Sequence, residues 1–390
     1  MLSSCDCATA ANSVLFLRRI GTVALLFILA SLSWFVLYKA GETIGFKIPD
    51  SLTSHAPRVF FFIPPSPPLP PPSVLKDAAM EDKTVILTTL NEAWAAPSSV
   101  IDLFLESFRI GNHTRELLNH LVIIALDEKA FSRCLVVHTH CYALVSEGVD
   151  FSKEAYFMTH DYLKMMWTRI DFLKGVLEMG YNFVFTRFIG ILSATPRKLA
   201  SGNFRNFQDA DVMWFRDPFP QFYKDADFQI ACDHFLGNPE DVENRPNGGF
   251  LFVRSNNRSI EFYKFWYTSR ETYPNLHDQD VLNNIKYDSF IIDIDLKMRF
   301  LDTTYFGGFC EPSKDLNVVC TMHANCCFGL ESKLHDLRVV LQDWKIFLSL
   351  PPTLKRSLPP SWRVPQNCSL DSLHLYAPPL ENVIQENVEQ

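Results

Sequence analysis

Residues 159–185, THDYLKMMWTRIDFLKGVLEMGYNFVF, decide the fold class. Leu163, Met166, Trp167, Ile170, Leu173, Val176 and Leu177 recur at helical spacing, so residues 159–179 read as one long amphipathic helix. Gly180 stands where such a helix often stops. The run that follows, YNFVF at 181–185, is aromatic and β-branched and reads as a strand. Towards the amino terminus the same alternation repeats. TVILTTL at 84–90 is a buried strand. Residues 98–108 carry Val100, Ile101, Phe104, Leu105 and Phe108 on one helical side, and LVIIAL at 121–126 is a second strand. Residues 130–134 suit a short helix, and 135–137 are expected to begin a third strand. Alternating strands and helices imply an α/β domain with a largely parallel sheet, whose ligands bind beyond the carboxyl ends of the strands.

The chain has 390 residues, enough for one large domain or two modest ones. Its 47% hydrophobic and 21% charged content suits a sizeable core rather than a disordered chain. A formal net charge of -8 with no dominant basic patch argues against nucleic acid as a partner. Ten cysteines are too few for a disulfide scaffold of this length, but most follow residue 130, and in an oxidising lumen some should pair.

Residues 20–38, IGTVALLFILASLSWFVLY, contain no charged residue and are long enough for a membrane-crossing helix. Arg18 and Arg19 precede the run, which by the positive-inside rule places residues 1–19 in the cytosol and the rest in the lumen. A cleaved signal peptide is the competing reading; its apolar core is usually shorter and ends in small residues. Residues 39–80 read as a stem, stiffened by the polyproline-type run IPPSPPLPPP at 63–72. The folded domain is expected over 81–350, with 351–390 as a tail. Sequons at Asn112, Asn257 and Asn367 permit glycosylation only in a lumenal domain.

Asp209-Ala210-Asp211 opens the stretch DADVMWFRDP. Two carboxylates one residue apart can both reach a hard divalent cation such as Mg²⁺ or Mn²⁺, which shares its shell readily with diphosphate oxygens. A solvated turn is the plain alternative. Asn247, Gly248 and Gly249 stand before an apolar strand at 251–253. The glycines allow a tight turn and a close backbone approach, and Asn247 can bond sugar hydroxyls in both directions; an ordinary Asn-Gly hairpin turn explains the same residues. His277, Asp278, Gln279 and Asp280 open a helix, VLNNIK, where a capping role is the alternative to a catalytic one. His323 in MHANCC offers an imidazole ligand, but Cys326-Cys327 lacks the second spaced pair of a zinc site.

The stretches TTLNEAWAAPSSVIDLFLESFRIG, FMTHDYLKMMWTRIDFLKGVLEMGYNFVFT, DADVMWFRDPF, ADFQIACD, NGGFLFVRSN, HDQDVLNNIK, RFLDTTYFGGFC and CTMHANCC together resemble the plant nucleotide-diphospho-sugar transferases of glycosyltransferase family 77. The resemblance implies a GT-A-like Rossmann-type domain behind a single N-terminal transmembrane helix, in the Golgi. It further implies a UDP-sugar donor, a pentose (arabinose or xylose) transferred with retention, and a cell-wall glycan or glycoprotein acceptor. Carried over by residue, Asp209 and Asp211 match the metal pair, with His323 as the candidate third ligand. Asn247, Gly248 and Gly249 match the donor-facing turn, with Asp280 on the donor side. Asp278 and Gln279 are then the groups expected to stabilise the oxocarbenium-like transition state electrostatically.

One departure stands out. Residues 187–208, RFIGILSATPRKLASGNFRNFQ, separate a strand from the Asp-x-Asp motif that follows it directly in the family. The segment carries Arg187, Arg197, Lys198 and Arg205 and no acidic residue. It reads as an insertion (translated intron sequence or a splice variant), against a genuine surface loop. An insertion there would loosen the metal pair, so a catalytically impaired lumenal binding or scaffold homologue is the alternative function.

Overall fold

The computed structural model describes residues 72–144, 160–186, 211–327, 329–357 and 361–368. The expected anchor at 20–38, Asp209, and the segment 187–208 lie outside the described residues. Among those described, no helix is long and apolar enough to cross a membrane.

The described strands are β1 (Thr84–Leu90), β2 (Leu121–Ala125), β3 (Cys141–Ala143), β4 (Asn182–Thr186), β5 (Val212–Trp214), β6 (Phe228–His234), β7 (Arg245–Val253), β8 (Met298–Phe300), β9 (Phe306–Gly308) and β10 (Thr321–His323). Seven form one sheet in the order β3-β2-β1-β4-β7-β6-β8. All its pairings are parallel except those of β7, which runs against both β4 and β6. β1 and β2 are buried along their whole lengths, as apolar strands covered on both faces must be. The helix His160–Glu178 ends at Gly180, whose φ of 83° is the left-handed region that glycine takes freely. Strand β4 follows at once, so the reading of the opening stretch matches the structure.

The expectation of a strand at 135–137 is corrected. These residues close the helix Glu128–Val137, whose amino end is capped by Asp127 accepting the Ala130 N–H at 2.8 Å. Ala130 and Cys134 are buried and Phe131 and Val137 pack partly against the core; Leu135 and Val136 are 59% and 77% exposed, an apolar pair on a solvent face. The Cys134–Cys141 disulfide ties the helix to β3, the actual third strand. A second correction concerns residues 246–250. They lie within β7 instead of forming a tight turn ahead of it, and irregularities in the β6–β7 register between Ile230 and His234 accommodate them.

The smaller sheet, β5-β10-β9, is fastened over β7 by aromatic rings. Phe250 of β7 lies 5.4 Å from Phe306 of β9 and 5.5 Å from Trp214 of β5, centroid to centroid. The helix Leu330–Ser349 lays Leu337, Val340, Leu341 and Trp344 into the core. Residues 361–368 then pack back on the domain. Asp336 accepts the N–H groups of Gln366, Asn367 and Cys368, and Cys368 is bonded to Cys327. The folded unit therefore continues past residue 350 into the expected tail.

Candidate active site

Because β7 is antiparallel to its neighbours, it begins at the edge where β4 and β6 end. Thr186, the last residue of β4, pairs with Phe250, so Asn247, Gly248 and Gly249 extend past it along the carboxyl edge of the sheet. At that edge a series of contacts joins the metal-type residues to the Asp-Gln-Asp helix.

The series starts at Asp211, which is fully buried just ahead of β5, with its carbonyl accepting the Ala324 N–H at 3.0 Å. The pairing of Val212 with His323 brings the imidazole Nε2 to 3.7 Å from Asp211 Oδ1. On the other side Lys333 Nζ lies 3.3 Å from Oδ2 and 3.4 Å from Oδ1. Lys333 is only 2% exposed, and its ammonium also faces the Trp94 ring at 5.8 Å. A buried carboxylate needs such compensation, since removing one partner of a buried pair costs about 3–5 kcal/mol.

The His323 ring packs over Gly249. A Cβ there would fall 2.3 Å from His323 Cε1 and 2.8 Å from Asn247 Oδ1, so no larger residue fits. Asn247 accepts the Gly249 N–H at 2.8 Å and donates through Nδ2 to Asp233 Oδ1 at 2.7 Å. Asp233, at the end of β6, also accepts from Asn325 Nδ2 at 2.7 Å and from Gln279 Nε2 at 3.4 Å. Gln279 in turn accepts the Gly248 N–H at 3.0 Å. Thus Asn247, Gly248, Gly249, Gln279, His323 and Asp211 do converge.

Two expected site residues are placed differently. Asp278 is fully buried, and its carboxylate forms an ion pair with Arg169, whose guanidinium also lies 5.2 Å from the Phe185 ring centroid. Its carbonyl accepts the Trp266 indole N–H at 2.9 Å. Asp278 therefore braces the helix Asp278–Ile285 beneath Gln279, and its charge is met by Arg169 inside the fold. Asp280 is half-buried and faces the cap of its own helix, with Oδ2 3.6 Å from His277 Nε2. The cap is His277, whose Nδ1 accepts the N–H groups of Gln279 at 3.1 Å and Asp280 at 3.3 Å. Nδ1 as acceptor leaves the ring proton on Nε2, towards Asp280.

Sequence reading missed Asp233, Asn325, Arg169 and Lys333. Two left a signal: Arg169 and Lys333 sit on the core-facing stripes of amphipathic helices, where an unpaired charge would be costly. Asp233 and Asn325 had none beyond their place at strand ends.

Cysteine chemistry is excluded at this edge. Cys326 and Cys327 go to separate disulfides, Cys310–Cys326 and Cys327–Cys368, so neither is a zinc ligand. Cys232 and Cys320 are buried thiols. Burial pushes Cys320 up to about 12 and raises Cys232 as well, so neither is a thiolate near neutral pH. Among the described residues no three His, Cys, Asp or Glu converge as a metal-holding group; Asp209, the missing member of the Asp-x-Asp pair, lies outside them.

A parallel-rich α/β sheet with a polar site on its carboxyl edge is an architecture that takes its ligands at that edge. The chain matches the nucleotide-diphospho-sugar transferase family over residues 116–187 and 206–337, and it belongs to that family. It is thereby a glycosyltransferase, as the resemblance in the sequence implied. Two proteins of Arabidopsis thaliana are similar. Uncharacterized protein At4g15970 is 51% identical over 76% of this chain and 72% of its own length. Uncharacterized protein At1g28695 is 38% identical over 69% and 75%. Two solved structures at 12% identity are also similar. A glycosyltransferase involved in glycosylation of the major capsid of PBCV-1 has a TM-score of 0.35, covering 65% of this chain and 98% of that one. Mouse xyloside xylosyltransferase 1 in its apo form has a TM-score of 0.34, covering 58% and 87%.

Proposed function

We propose that the chain moves a pentose, arabinose or xylose, from a UDP-sugar to a cell-wall glycan or glycoprotein acceptor, with retention and with Mn²⁺ or Mg²⁺. The observation that carries this reading is the unbroken run of contacts from Lys333 and Asp211 through His323, Gly249 and Asn247 to Asp233 and Gln279. One end suits a diphosphate and the other a sugar. Asp211 and His323, an oxygen and an imidazole donor 3.7 Å apart in a buried setting, fit a divalent cation completed by Asp209. When bound, the metal would neutralise charge on the departing diphosphate. Lys333 adds a fixed positive charge on the same side. Asn247 and Gln279 offer amide groups to sugar hydroxyls.

In this reading residues 20–38 anchor the protein in the Golgi membrane with the catalytic domain in the lumen. The three disulfides of the described residues support an oxidising compartment. The family match breaks between residues 187 and 206, where the basic segment lies, which supports reading 187–208 as an insertion. The same break favours the second reading, a homologue impaired at its metal pair. A screen of UDP-sugars on the full chain in detergent, with Mn²⁺ or chelator and with or without residues 187–208, separates the two. Metal-dependent donor turnover by the intact chain supports the transferase. Turnover only after deletion supports the impaired homologue, and none in either form removes the donor reading.

A further inference from the structure

Resting on the donor reading above, we propose that Asp233 is the carboxylate that offsets the positive charge developing on the transferred sugar. Retaining transfer needs a negative group near the anomeric carbon, because the bond to the diphosphate breaks ahead of bond formation to the acceptor. The electron pair of that bond leaves with UDP. The acceptor hydroxyl oxygen supplies the pair for the new bond and loses its proton to the departing diphosphate. Asp233 forms no covalent bond in this step.

Three observations point to Asp233 instead of Asp278. Asp278 is fully buried and ion-paired to Arg169, so its charge is spent within the fold. Asp233 stands at the carboxyl end of β6, 9% exposed, on the edge where a ligand would lie. The amide N–H groups of Asn247, Asn325 and Gln279 donate to it, an arrangement that suits an acceptor-only, ionised carboxylate and fixes its direction. It is also near the proposed metal side, because Asn247, which donates to Asp233, also accepts from Gly249 beneath His323.

The test uses the full chain with Mn²⁺ and UDP, and two probes of equal size: a cationic pentose-like iminosugar and its neutral carbocyclic analogue. The wild type should bind the cation about tenfold or more tightly than the neutral probe, since opposite charges close together in a protein site attract strongly. Asp233→Asn keeps the size and can still accept from Asn247 and Asn325. It should abolish that preference, leave UDP affinity within about twofold, and lower kcat about a hundredfold with little change in donor KM. Asp233→Asn combined with Gln279→Glu returns a carboxylate to the cluster and should regain part of both the preference and kcat.

A wild type that binds UDP but has no preference for the cation would overturn the proposal even if Asp233→Asn failed to fold. Asp233→Asn that retains the preference and kcat would overturn it as well. A hub that is only structural would show loss in Asp233→Asn with no recovery in the double variant. Failure of the wild type to bind UDP would remove the donor reading, and this proposal with it.

Discussion

The two ends of the active-site edge each bury a carboxylate against a cation, and they do so differently. Asp278 meets Arg169, a planar guanidinium that also lies over Phe185 and sits beneath a helix whose first carbonyl is held by Trp266. Asp211 meets Lys333, a compact ammonium at 3.3 and 3.4 Å, with an imidazole at 3.7 Å on its other side. Arginine's fixed fork makes the first pair a strut. The lysine pair is looser, with the Asp211 carboxylate shared between an ammonium and an imidazole. Equal burial thus gives a stiff strut at one end of the edge and a looser pair at the other.

The comparison breaks most directly at Arg169. Arg169→Met leaves Asp278 charged and enclosed, and should cost about 3–5 kcal/mol in denaturant unfolding, unaltered by Mn²⁺. A loss below about 1 kcal/mol would mean the pair is no strut. On the metal reading, Asp211→Asn should lower transfer by about a hundredfold or more, and because it takes the charged partner from buried Lys333 it should also cost a few kcal/mol of stability. Full activity of this variant in chelator would remove the metal assignment.

Lys333→Met sharpens the contrast. Without divalent cation it should lose a few kcal/mol, as Asp211 loses its ammonium. Saturating Mn²⁺ should restore most of that loss, as linkage requires of a ligand that binds only the native state. Melting curves with and without Mn²⁺ read this, and identical losses in the two would make Lys333 a strut like Arg169. Gly249→Ala should cost about 1–3 kcal/mol through the clash with His323, and His323→Ala in the same chain should relieve it. A destabilisation untouched by the second substitution would place the clash elsewhere.

The smallest effect belongs to an ion pair between buried Asp227 and exposed Arg258. Burial pushes the Asp227 carboxyl up, but Arg258, the Lys297 N–H and Asn256 outweigh it and hold the group below its ordinary value. Its contribution is then fully present above the unfolded carboxylate value and fades as pH falls through the folded one. Arg258 is 43% exposed, so the effect should be modest. Acid titration of stability in Asp227→Asn should be flatter than wild type in that window; parallel curves would remove Asp227 from the acid response.

What the sequence could determine was local. Residues 159–185 announced a helix, its glycine stop and a strand because side-chain periodicity depends only on neighbours, and the same held for β1 and β2. Motifs named Asn247, Gly249, Gln279, Asp211 and His323, and the structure brings them together. Periodicity failed at 135–137, where a capping aspartate and a disulfide outweighed an apolar run that faces solvent. Tertiary structure alone decided that Asp278 pairs with Arg169 across 109 positions and Asp211 with Lys333 across 122. Nothing local distinguishes Asp233 from any other aspartate at a strand end. Its place among Asn247, Gln279 and Asn325 comes from the antiparallel run of β7 and from the smaller sheet held over it, and both are set by long-range packing that sequence spacing cannot express.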